Sequence, residues 1–535
     1  MNSNNLKMKK SLHFWKLACL AAVSVMVVSC CGGGADYRNL LPADSFMTMS
    51  VNPASLMQKS GAGDIEQHPL FARLKAELDK TEGMTAEEKE YLLAMLKNPC
   101  ESGIDLKKDL FFFMSMESLG NMNIQAPNVR GGLLLPVGDK AKLDAIVARI
   151  NEKSGATLQN EGGISVIKLG EEDSVSALCA YNDVAFIVYG AQGNSENAVE
   201  TVKKLFAQKG SEGLMGNKVV AEQLSGNNDI NMVMVYSSLV SLMDSNPMMS
   251  SMPMMEALKG ATMVSSVNFE KGRIVSGIAM SYKDKESEQK MQDFYAYVKP
   301  QTGALLRYVP QNTVGAMAYG LDGAKMYSVF SAMPGYGMLM ANPMVKQAMD
   351  AFDGDCVISF SGMTADGRYP VASLLAQVKD PAVVQTIVSN MPGMPVQQTA
   401  EGEYTMNLGG VTVLFGVKGD VLYCTTDAVV KSALDGAEIE SLASMVKIFK
   451  GQSGTFFVDF EGVNTIVAQL VGGNVTPQVE SALSVLAMFD DMEAYGTMKG
   501  GTVIVNMTDK EQNSFKTICD KIGELIRQYI PEANI

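Results

Sequence analysis

The stretch LPADSFMTMSV, residues Leu41–Val51, has a counterpart near the middle of the chain, VPQNTVGAMAY, residues Val309–Tyr319. In both, a proline and a few polar residues are followed by a run in which apolar residues alternate with smaller or polar ones. Alternation with a period of two predicts a β-strand that buries one of its faces. Two matching strand starts so far apart indicate that one folding unit occurs twice in the chain.

Further matches follow in the same order along the chain. LLLPVGD (Leu133–Asp139) and LLAQVKD (Leu374–Asp380) each precede a segment with helical periodicity, and the closing aspartate of each suits a helix N-cap. Later, KGRIV (Lys271–Val275) matches KGGTV (Lys499–Val503). The distance between matched residues falls steadily along the chain. A colinear duplication gives this result when the first copy carries extra segments.

We therefore predict an α+β fold made of two duplicated halves, residues 41–300 and residues 301–535. Each half is expected to be a largely antiparallel sheet packed with helices, because strands in hairpin order do not fit alternating βαβ units. The first half holds an extra segment at about residues 59–100. Within it, HPLFARLKAEL (His68–Leu78) and TAEEKEYLLAML (Thr85–Leu96) predict two helices.

Residues 1–29 have the composition of a cleaved export signal. Four lysines and no acidic residue accompany an apolar run from Leu17 to Val28, which is shorter than the about 20 residues that a bilayer-spanning helix needs. The run leads into VVSC (Val27–Cys30), which has the form of a lipobox, so Cys30 is predicted to carry lipid as the first residue of the mature chain. The alternative is an ordinary signal peptide that ends in Cys-Cys.

Residues 30–40 (CCGGGADYRNL) contain three consecutive glycines and are predicted to form a flexible tether. Two or three acyl chains such as palmitate hold a protein firmly at a membrane, whereas one chain holds it only marginally. We therefore expect an anchor made of lipid alone, in the cell envelope and at the outer membrane. Whether the protein faces the periplasm or the outside stays open. No second apolar run reaches transmembrane length, so the body is expected to be soluble.

The chain is acidic, with 44 basic and 58 acidic residues and a formal net charge of −14. Four of its lysines lie in the predicted export signal, so the mature chain is more acidic still. Nucleic acid attracts clustered lysine and arginine, and anionic membranes attract basic surfaces. The composition therefore argues against nucleic acid as a partner and against a body that lies flat on anionic lipid.

The residues that common catalytic and metal sites need are scarce. Histidine occurs only as His13, within the predicted signal, and as His68, so a Ser-His-Asp arrangement or a Cys/His zinc site is hard to build. No G-x-S-x-G elbow, phosphate loop or dinucleotide fingerprint is present. Asp350, Asp353 and Asp355 lack the spacing of a calcium loop and its distal glutamate. We expect no catalytic residue, cofactor or metal site of these types.

The cysteines of the mature chain other than Cys30 are scattered and form no CxxC motif. Their spacing dictates no disulfide framework. Four of them lie in apolar runs and are predicted to be buried free thiols. These are Cys179, Cys356, Cys424 and Cys519.

Methionine is frequent, with 39 residues. One cluster comprises Met248, Met249, Met252, Met254 and Met255. Flexible methionine surfaces accept varied apolar ligands, and the thioethers of an exported protein can bind Cu(I), although no histidine lies near this cluster. Alternatively, methionine fills cores throughout the chain, which the methionines of strand-like runs such as Met232 and Met234 favour.

The start of the mature chain combines several of these features. A lipobox cysteine, a glycine-rich tether, Tyr37 and Asn39 are followed by LPADS and a strand. This order resembles an uncharacterised lipoprotein family of Bacteroidota that carries a domain of unknown function. The resemblance implies an envelope lipoprotein, and it brings no known activity and no site residue beyond Cys30.

Three functions follow from these patterns. The first is a non-catalytic envelope protein that binds a protein, an apolar ligand or a glycan in a groove between the two halves, near residues 295–312. The second is a hydrolase that uses paired carboxylates, which needs no histidine. The third is the handling of a metal by methionine side chains.

Overall fold

The structure, a computed structural model, describes residues 36–61, 69–81, 85–116, 129–154, 158–172, 175–192, 195–243, 253–333, 335–389, 395–472 and 476–529. The chain divides into two compact units. Unit 1 comprises Met1–Ser245, Thr262–Glu270 and Gln512–Ile535, and unit 2 comprises Asn246–Ala261 and Lys271–Glu511.

The strands are named in chain order. They are β1 Ser45–Val51, β2 Leu110–Met116, β3 Val129–Pro136, β4 Leu158–Glu161, β5 Ile164–Glu172, β6 Val175–Tyr181, β7 Ala185–Gln192, β8 Ile230–Val235, β9 Ala261–Glu270, β10 Arg273–Tyr282, β11 Val298–Lys299, β12 Gly315–Asp322, β13 Phe352–Met363, β14 Pro370–Val378, β15 Val396–Ala400, β16 Glu403–Leu408, β17 Val411–Lys418, β18 Val421–Thr425, β19 Gly454–Asp459, β20 Phe489–Thr497 and β21 Gly500–Met507.

The α-helices are named in the same way. They are α1 Pro53–Ser60, α2 Pro69–Lys80, α3 Ala86–Lys97, α4 Lys140–Ser154, α5 Ser195–Ala207, α6 Lys218–Leu224, α7 Tyr236–Met243, α8 Pro253–Leu258, α9 Lys285–Phe294, α10 Gly323–Ser331, α11 Gly337–Met340, α12 Pro343–Ala351, α13 Val383–Ser389, α14 Ala428–Leu434, α15 Val446–Phe449, α16 Phe460–Val471, α17 Pro477–Leu486 and α18 Ser514–Tyr529. Short 3-10 turns include Tyr37–Leu40 and Ala304–Tyr308.

In unit 1, β1 is paired on both sides, with β2 and with β8. Hydrogen bonding places the strands of this unit in the order β9–β8–β1–β2–β3–β7–β6–β5–β4, and every pair is antiparallel. In unit 2, β12 is likewise paired on both sides, with β13 and β19. The order there is β10–β21–β20–β19–β12–β13–β14–β18–β17–β16–β15, again antiparallel throughout. The predicted α+β fold with largely antiparallel sheets is confirmed.

Eight strands of each unit follow the same order. The comparison starts at β8 in unit 1 and at β19 in unit 2, which are the neighbours of β1 and β12. From β8 the order in unit 1 is β8–β1–β2–β3–β7–β6–β5–β4, and from β19 the order in unit 2 is β19–β12–β13–β14–β18–β17–β16–β15. In both, the strand that follows the matched proline segment lies inside the sheet. Strands β1 and β12 therefore each need a partner that comes much later in the chain, β8 for β1 and β19 for β12.

One face of each sheet is the main core. In unit 1, helices α5 and α6 and the turn Tyr37–Leu40 cover Phe111, Phe113 and Leu134. In unit 2, the turn Ala304–Tyr308 and helix α14 cover a corresponding set on the central strands. This set is Ala316, Ala318, Val357, Leu375 and Tyr423, each at most 2% exposed.

Several local predictions can be compared with the structure directly. The two helices predicted in the extra segment are present as α2 and α3. Asp139 caps α4, since its carboxylate accepts from the backbone N–H groups of Ala141 and Lys142 at 3.0 and 3.2 Å. Asp380 accepts from the backbone N–H of Ala382 at 3.0 Å, just before α13.

Helix α18 comes from the far end of the chain and packs in unit 1. It contacts α1 and α2, and the ring of Phe515 lies 4.9 Å from that of Phe269. Asn513, just before the helix, donates from its amide to the carbonyl of Phe269 at 3.0 Å. The compact units thus take segments from distant parts of the sequence. The division into two duplicated halves, residues 41–300 and 301–535, rests on the sequence matches and stays a prediction.

Candidate functional site

The central strands of unit 2 carry apolar residues on both faces. Residues that are next to each other in the chain differ sharply in exposure, because side chains alternate between the two faces of a strand. Val357 is 2% exposed and its neighbour Ile358 is 46% exposed. Leu375 is fully buried, whereas Leu374 is only partly so. The face opposite the main core is therefore apolar and open.

The register of the sheet aligns these exposed residues in one row. Met317 pairs with Phe456 on one side and with Ile358 on the other. Ile358 pairs with Leu374, and Leu374 pairs with Cys424. Paired residues of antiparallel strands point to the same face, with Cβ atoms about 4.5–5.5 Å apart. The row therefore runs without a break across five strands.

We call this surface the open sheet face. It consists of the row and of Tyr319, which is 41% exposed and lies two residues from Met317 on the same strand. Its members are Met317, Tyr319, Ile358, Leu374, Cys424 and Phe456. Apolar side chains in the middle of a sheet are usually covered, and contiguous exposed apolar patches commonly mark binding surfaces.

Two parts of unit 2 border the open sheet face. Beyond Cys424, the face is closed over Phe415 and Tyr404, which belong to a small core with Val383 and Val384 of helix α13. Helix α16 contacts β13, β19 and β20, yet none of the residues of this fully described helix is buried. Every residue of α16 therefore keeps part of its surface exposed.

The corresponding surface of unit 1 is rich in methionine. Met47 pairs with Met114 and Met234, and Met234 pairs with Met263. Met49 pairs with Phe112 and Met232 in the next row. We call this surface the methionine face, and its members are Met47, Met49, Phe112, Met114, Met232, Met234 and Met263, all partly buried.

Helix α7 lies against part of the methionine face. It contacts β1 and β2, and the hydroxyl of Tyr236 at its start donates to the Sδ atom of Met263 at 3.8 Å. On the opposite face, Phe111, Phe113 and Val233 are at most 1% exposed. The least exposed side chains of these strands therefore lie on the face opposite the methionine face.

The structure places the predicted site residues as follows. Cys30, Met248, Met249 and Met252 lie outside the described residues. Met254 is partly buried, and Met255 is only 7% exposed within α8. The apolar surface predicted for these methionines stays a prediction. The methionines of the sheet were attributed to cores, and their sequence signal is the alternation in FMTM and NMVM.

The prediction of buried thiols is wrong for Cys424, which is exposed. Cys179 is buried, while Cys356 and Cys519 are intermediate. Cys424 is exposed because its position on β18 points it to the open sheet face. Burial raises the pKa of the Cys356 thiol to about 11. Neighbouring side chains partly desolvate the thiol of Cys424 and raise its pKa as well, although the residue is exposed. These thiols are therefore poor nucleophiles near neutral pH.

The three aspartates with a loose likeness to a calcium loop have separate structural roles. Asp350 pairs with Lys346 at 2.5 Å, and Asp353 pairs with Lys299. Asp355 is 2% exposed. It accepts from the backbone N–H groups at the start of the turn Ala304–Tyr308, including that of Gly303 at 2.8 Å. The cluster thus holds a turn in place, and its members bind different partners.

Two carboxyl groups have the raised pKa that a general acid needs. Burial raises the pKa of Asp109 in unit 1 to about 6. Burial, and then the charge of Asp491, raise the pKa of Glu493 in unit 2. The two best-defined depressions of the described surface are shallow and lined by other residues, around Tyr282 and Asp350.

In the described part of the chain, no three His, Cys, Asp or Glu side chains lie together as a metal-binding group. None of the helices in these residues is both long enough and apolar enough to cross a membrane.

Comparison with known proteins identifies a family of unknown function. The family model described as Domain of unknown function (DUF4836) matches residues 37–445. Comparison with curated proteins found no match. Among solved structures, crystal form III of TP0453 is similar with a TM-score of 0.23 and 7% identity, covering 48% of this chain and 86% of that chain. Crystal form I of TP0453 gives 0.24 and 8%, with 49% and 88% covered. These TM-scores are too low to support a shared fold.

Proposed function

The chain belongs to this family of unknown function, and we propose that it is a lipid-anchored envelope protein that binds flexible apolar ligands without catalysis. The observation that carries the proposal is the open sheet face. Its residues are apolar and contiguous in the centre of the sheet, and each is exposed or only partly buried. An apolar ligand that covers such a surface removes it from water, which favours binding by about 25 cal/mol for each Å² of apolar surface covered.

The chemistry of this face favours an acyl chain over a glycan. The face presents thioether, thiol, aliphatic and aromatic groups, and it contains no charged side chain. A glycan needs several hydrogen-bonding groups in fixed positions, whereas an acyl chain needs apolar contact along a line. The row from Phe456 to Cys424 supplies such a line across five strands. Met317, next to the centre of the row, can adapt to different chain shapes.

Fluorescent fatty-acid binding tests the proposal. Ile358→Glu puts a charge at the centre of the open sheet face. The control, Leu408→Glu, puts a charge on strand β16, outside that face. Ile358 and Leu408 are both 46% exposed, so the two variants are matched in exposure. We expect Ile358→Glu to abolish binding and Leu408→Glu to leave it unchanged. Equal binding by both variants would exclude the face as the site.

The anchor is proposed from the sequence. Residues 27–30 have the form of a lipobox, and the charge and length of the preceding segment suit an export signal. Labelling of cells with a palmitate analogue should mark the wild-type protein and should not mark the Cys30→Ser variant. Proteinase K treatment of intact cells, with a periplasmic control, then distinguishes a surface location from a periplasmic one.

We further propose that the two units descend from one duplicated ancestor. The colinear sequence matches and the shared order of eight strands support this. The strand after the matched proline segment has corresponding neighbours in the two units: β1 pairs with β2 and β8, and β12 pairs with β13 and β19. The predicted groove between the halves stays a prediction, and the proposed ligand site needs only the sheet of unit 2.

A carboxylate-dependent hydrolase is the second candidate. It is favoured by Glu493, whose pKa is raised by burial and by the nearby Asp491. Asp491 in turn accepts from the amide of Asn506 at 2.7 Å. A panel of ester and glycoside substrates tests the candidate. Hydrolysis that is lost in Glu493→Gln would support it, and hydrolysis that this variant retains would exclude Glu493 as its acid.

A further inference from the structure

We propose that Met47, Met114 and Met234 form a binding site for Cu(I) made of three thioethers. The site goes beyond apolar-ligand binding and uses a different unit of the protein. It also differs from the methionine cluster at residues 248–255, which lies in another part of the sequence. Soft sulfur ligands select Cu(I) over the hard divalent cations.

The register brings the three side chains together. Met47 is the direct cross-strand partner of both Met114 and Met234, on its two sides. Direct partners have Cβ atoms about 4.5–5.5 Å apart, and each methionine has three rotatable bonds that position its sulfur. Three sulfur atoms can therefore converge on one ion above Met47. Three ligands from adjacent strands give the low coordination number that Cu(I) accepts.

The backbone is irregular at the central ligand. The register between β1 and β2 shifts between Ser45 and Met47, which leaves Phe46 as an extra residue. Such bulges bend a strand and re-aim the neighbouring side chain, and they are frequent next to functional sites. Here the bulge sets the direction of the strand at Met47. It therefore places the central thioether opposite its two partners.

The surroundings suit a soft monovalent ion. All three methionines are partly buried, so an ion can reach them and is then shielded from water. Met263 continues the row, and its sulfur already accepts a hydrogen bond from Tyr236 at 3.8 Å. The thioethers are neutral, so the site offers a divalent cation no negative charge. Selection therefore rests on the softness of sulfur.

The matched positions of unit 2 show that the sheet does not require methionine here. Met47 corresponds to Gly315 in the matched stretches that begin at Leu41 and Val309. Gly315 pairs with Phe360 and Val458, where Met47 pairs with two methionines. The same strand arrangement is thus built from glycine, phenylalanine and valine. The three paired thioethers of unit 1 therefore have no counterpart at the matched positions of unit 2.

Two double variants separate metal binding from packing. Met47→Leu with Met114→Leu removes two proposed ligands, and Met49→Leu with Met232→Leu changes an equivalent cross-strand pair in the next row. Leucine has nearly the volume of methionine and keeps the surface apolar, so both doubles should fold. Thermal unfolding and circular dichroism verify this. Neither change should alter the binding of fatty acid to unit 2.

The experiment is an anaerobic Cu(I) titration of the full-length protein against a chromophoric chelator, after the accessible thiols have been alkylated. Wild type and the Met49/Met232 double should bind one Cu(I) equally. The Met47/Met114 double should lose ~100-fold or more in affinity, since even the loss of outer-shell support costs about 10–100-fold. X-ray absorption of the bound copper should show sulfur neighbours only.

Three results would overturn the proposal. The first is a wild-type protein that binds no Cu(I) once its thiols are alkylated. The second is equal loss of affinity in both double variants, which would indicate packing. The third is nitrogen or oxygen in the copper coordination sphere. Fatty-acid binding is measured on portions of the same preparations taken before alkylation, because Cys424 belongs to the open sheet face. Failure of the copper site and failure of the proposed function are thereby told apart.

Discussion

The methionine face of unit 1 and the open sheet face of unit 2 each lie opposite the main core of their own unit, on strands that follow the same order. Their buried counterparts are alike, since large apolar residues lie under helices in both units. The exposed rows differ instead. Met47, Met114 and Met234 stand where unit 2 has Gly315, Phe360 and Val458. The two units therefore differ in residue type on the face opposite their main core.

A second pair of positions shows the same contrast. Asp109 precedes Leu110, which pairs with Val51, and Asp355 precedes Cys356, which pairs with Tyr319. Asp355 is held by hydrogen bonds from a turn, including the hydroxyl of Thr302 at 2.7 Å. Burial raises the pKa of Asp109 to about 6. One aspartate therefore stabilises its unit, while the other resists ionisation.

The largest effect is expected from removing residues 512–535, because these belong to unit 1. The deletion takes away α18, in which Ser514 and Ile526 are buried, and the contact between Phe515 and Phe269. Hydrogen exchange should show loss of protection in β1 and β8, with β12 and β19 still protected.

The matched control for this deletion is Ile522→Ser. Ile522 lies on the same helix and is 42% exposed, so this change should leave both units protected. If β12 and β19 lost protection together with β1 and β8 in the deletion, the two units would not be separate folding units, and comparison of their faces would lose its basis.

Adjacent leucines offer the next test of the two faces. Leu375→Ala and Leu134→Ala remove fully buried side chains and should each cost about 2–5 kcal/mol. Their neighbours Leu374 and Leu133 are only partly buried, so the same change should cost ~1 kcal/mol. Urea unfolding measures all four. Equal costs within a pair would mean that the second face is as well packed as the first.

A smaller effect, dependent on pH, is expected at Asp109. Its pKa in the folded protein is raised from 3.8 to about 6, so folding binds a proton more tightly. This favours the folded state below the ordinary pKa, and the contribution is lost as the pH rises through about 6. Asparagine does not ionise, so the Asp109→Asn variant does not lose this contribution as the pH rises. Its free energy of unfolding, compared with that of wild type, should therefore be higher at neutral pH than at acid pH.

The counterpart Asp355→Asn serves as the comparison, with urea unfolding at both pH values. An amide cannot accept every hydrogen bond that this carboxylate accepts, so the variant should be less stable than wild type in both conditions. If Asp109→Asn followed the pH profile of wild type, burial of its carboxyl would not explain the contrast between the two positions.

The sequence predicts the α+β fold and its local elements well because strand alternation, helical periodicity and caps are local signals. Asp139 and helices α2 and α3 are examples. The open sheet face could not be predicted. Alternation of apolar and polar residues shows that a strand has two different faces, but it does not show which face a helix covers. Cys424 illustrates this, since it lies in an apolar run and was expected to be buried. Only cross-strand register showed that Met47, Met114 and Met234 are neighbours.

Thiol modification of Cys424 tests the central claim most directly, since this side chain lies on the open sheet face. The pKa of Cys424 is raised by burial, so the reaction with a maleimide is followed at alkaline pH, where enough thiolate forms. Cys179, which is fully buried, serves as the internal reference in the same sample. The account predicts that Cys424 reacts in the folded protein and that a saturating fatty acid slows the reaction. Modification as slow as that of Cys179, or a rate that the fatty acid leaves unchanged, would contradict it.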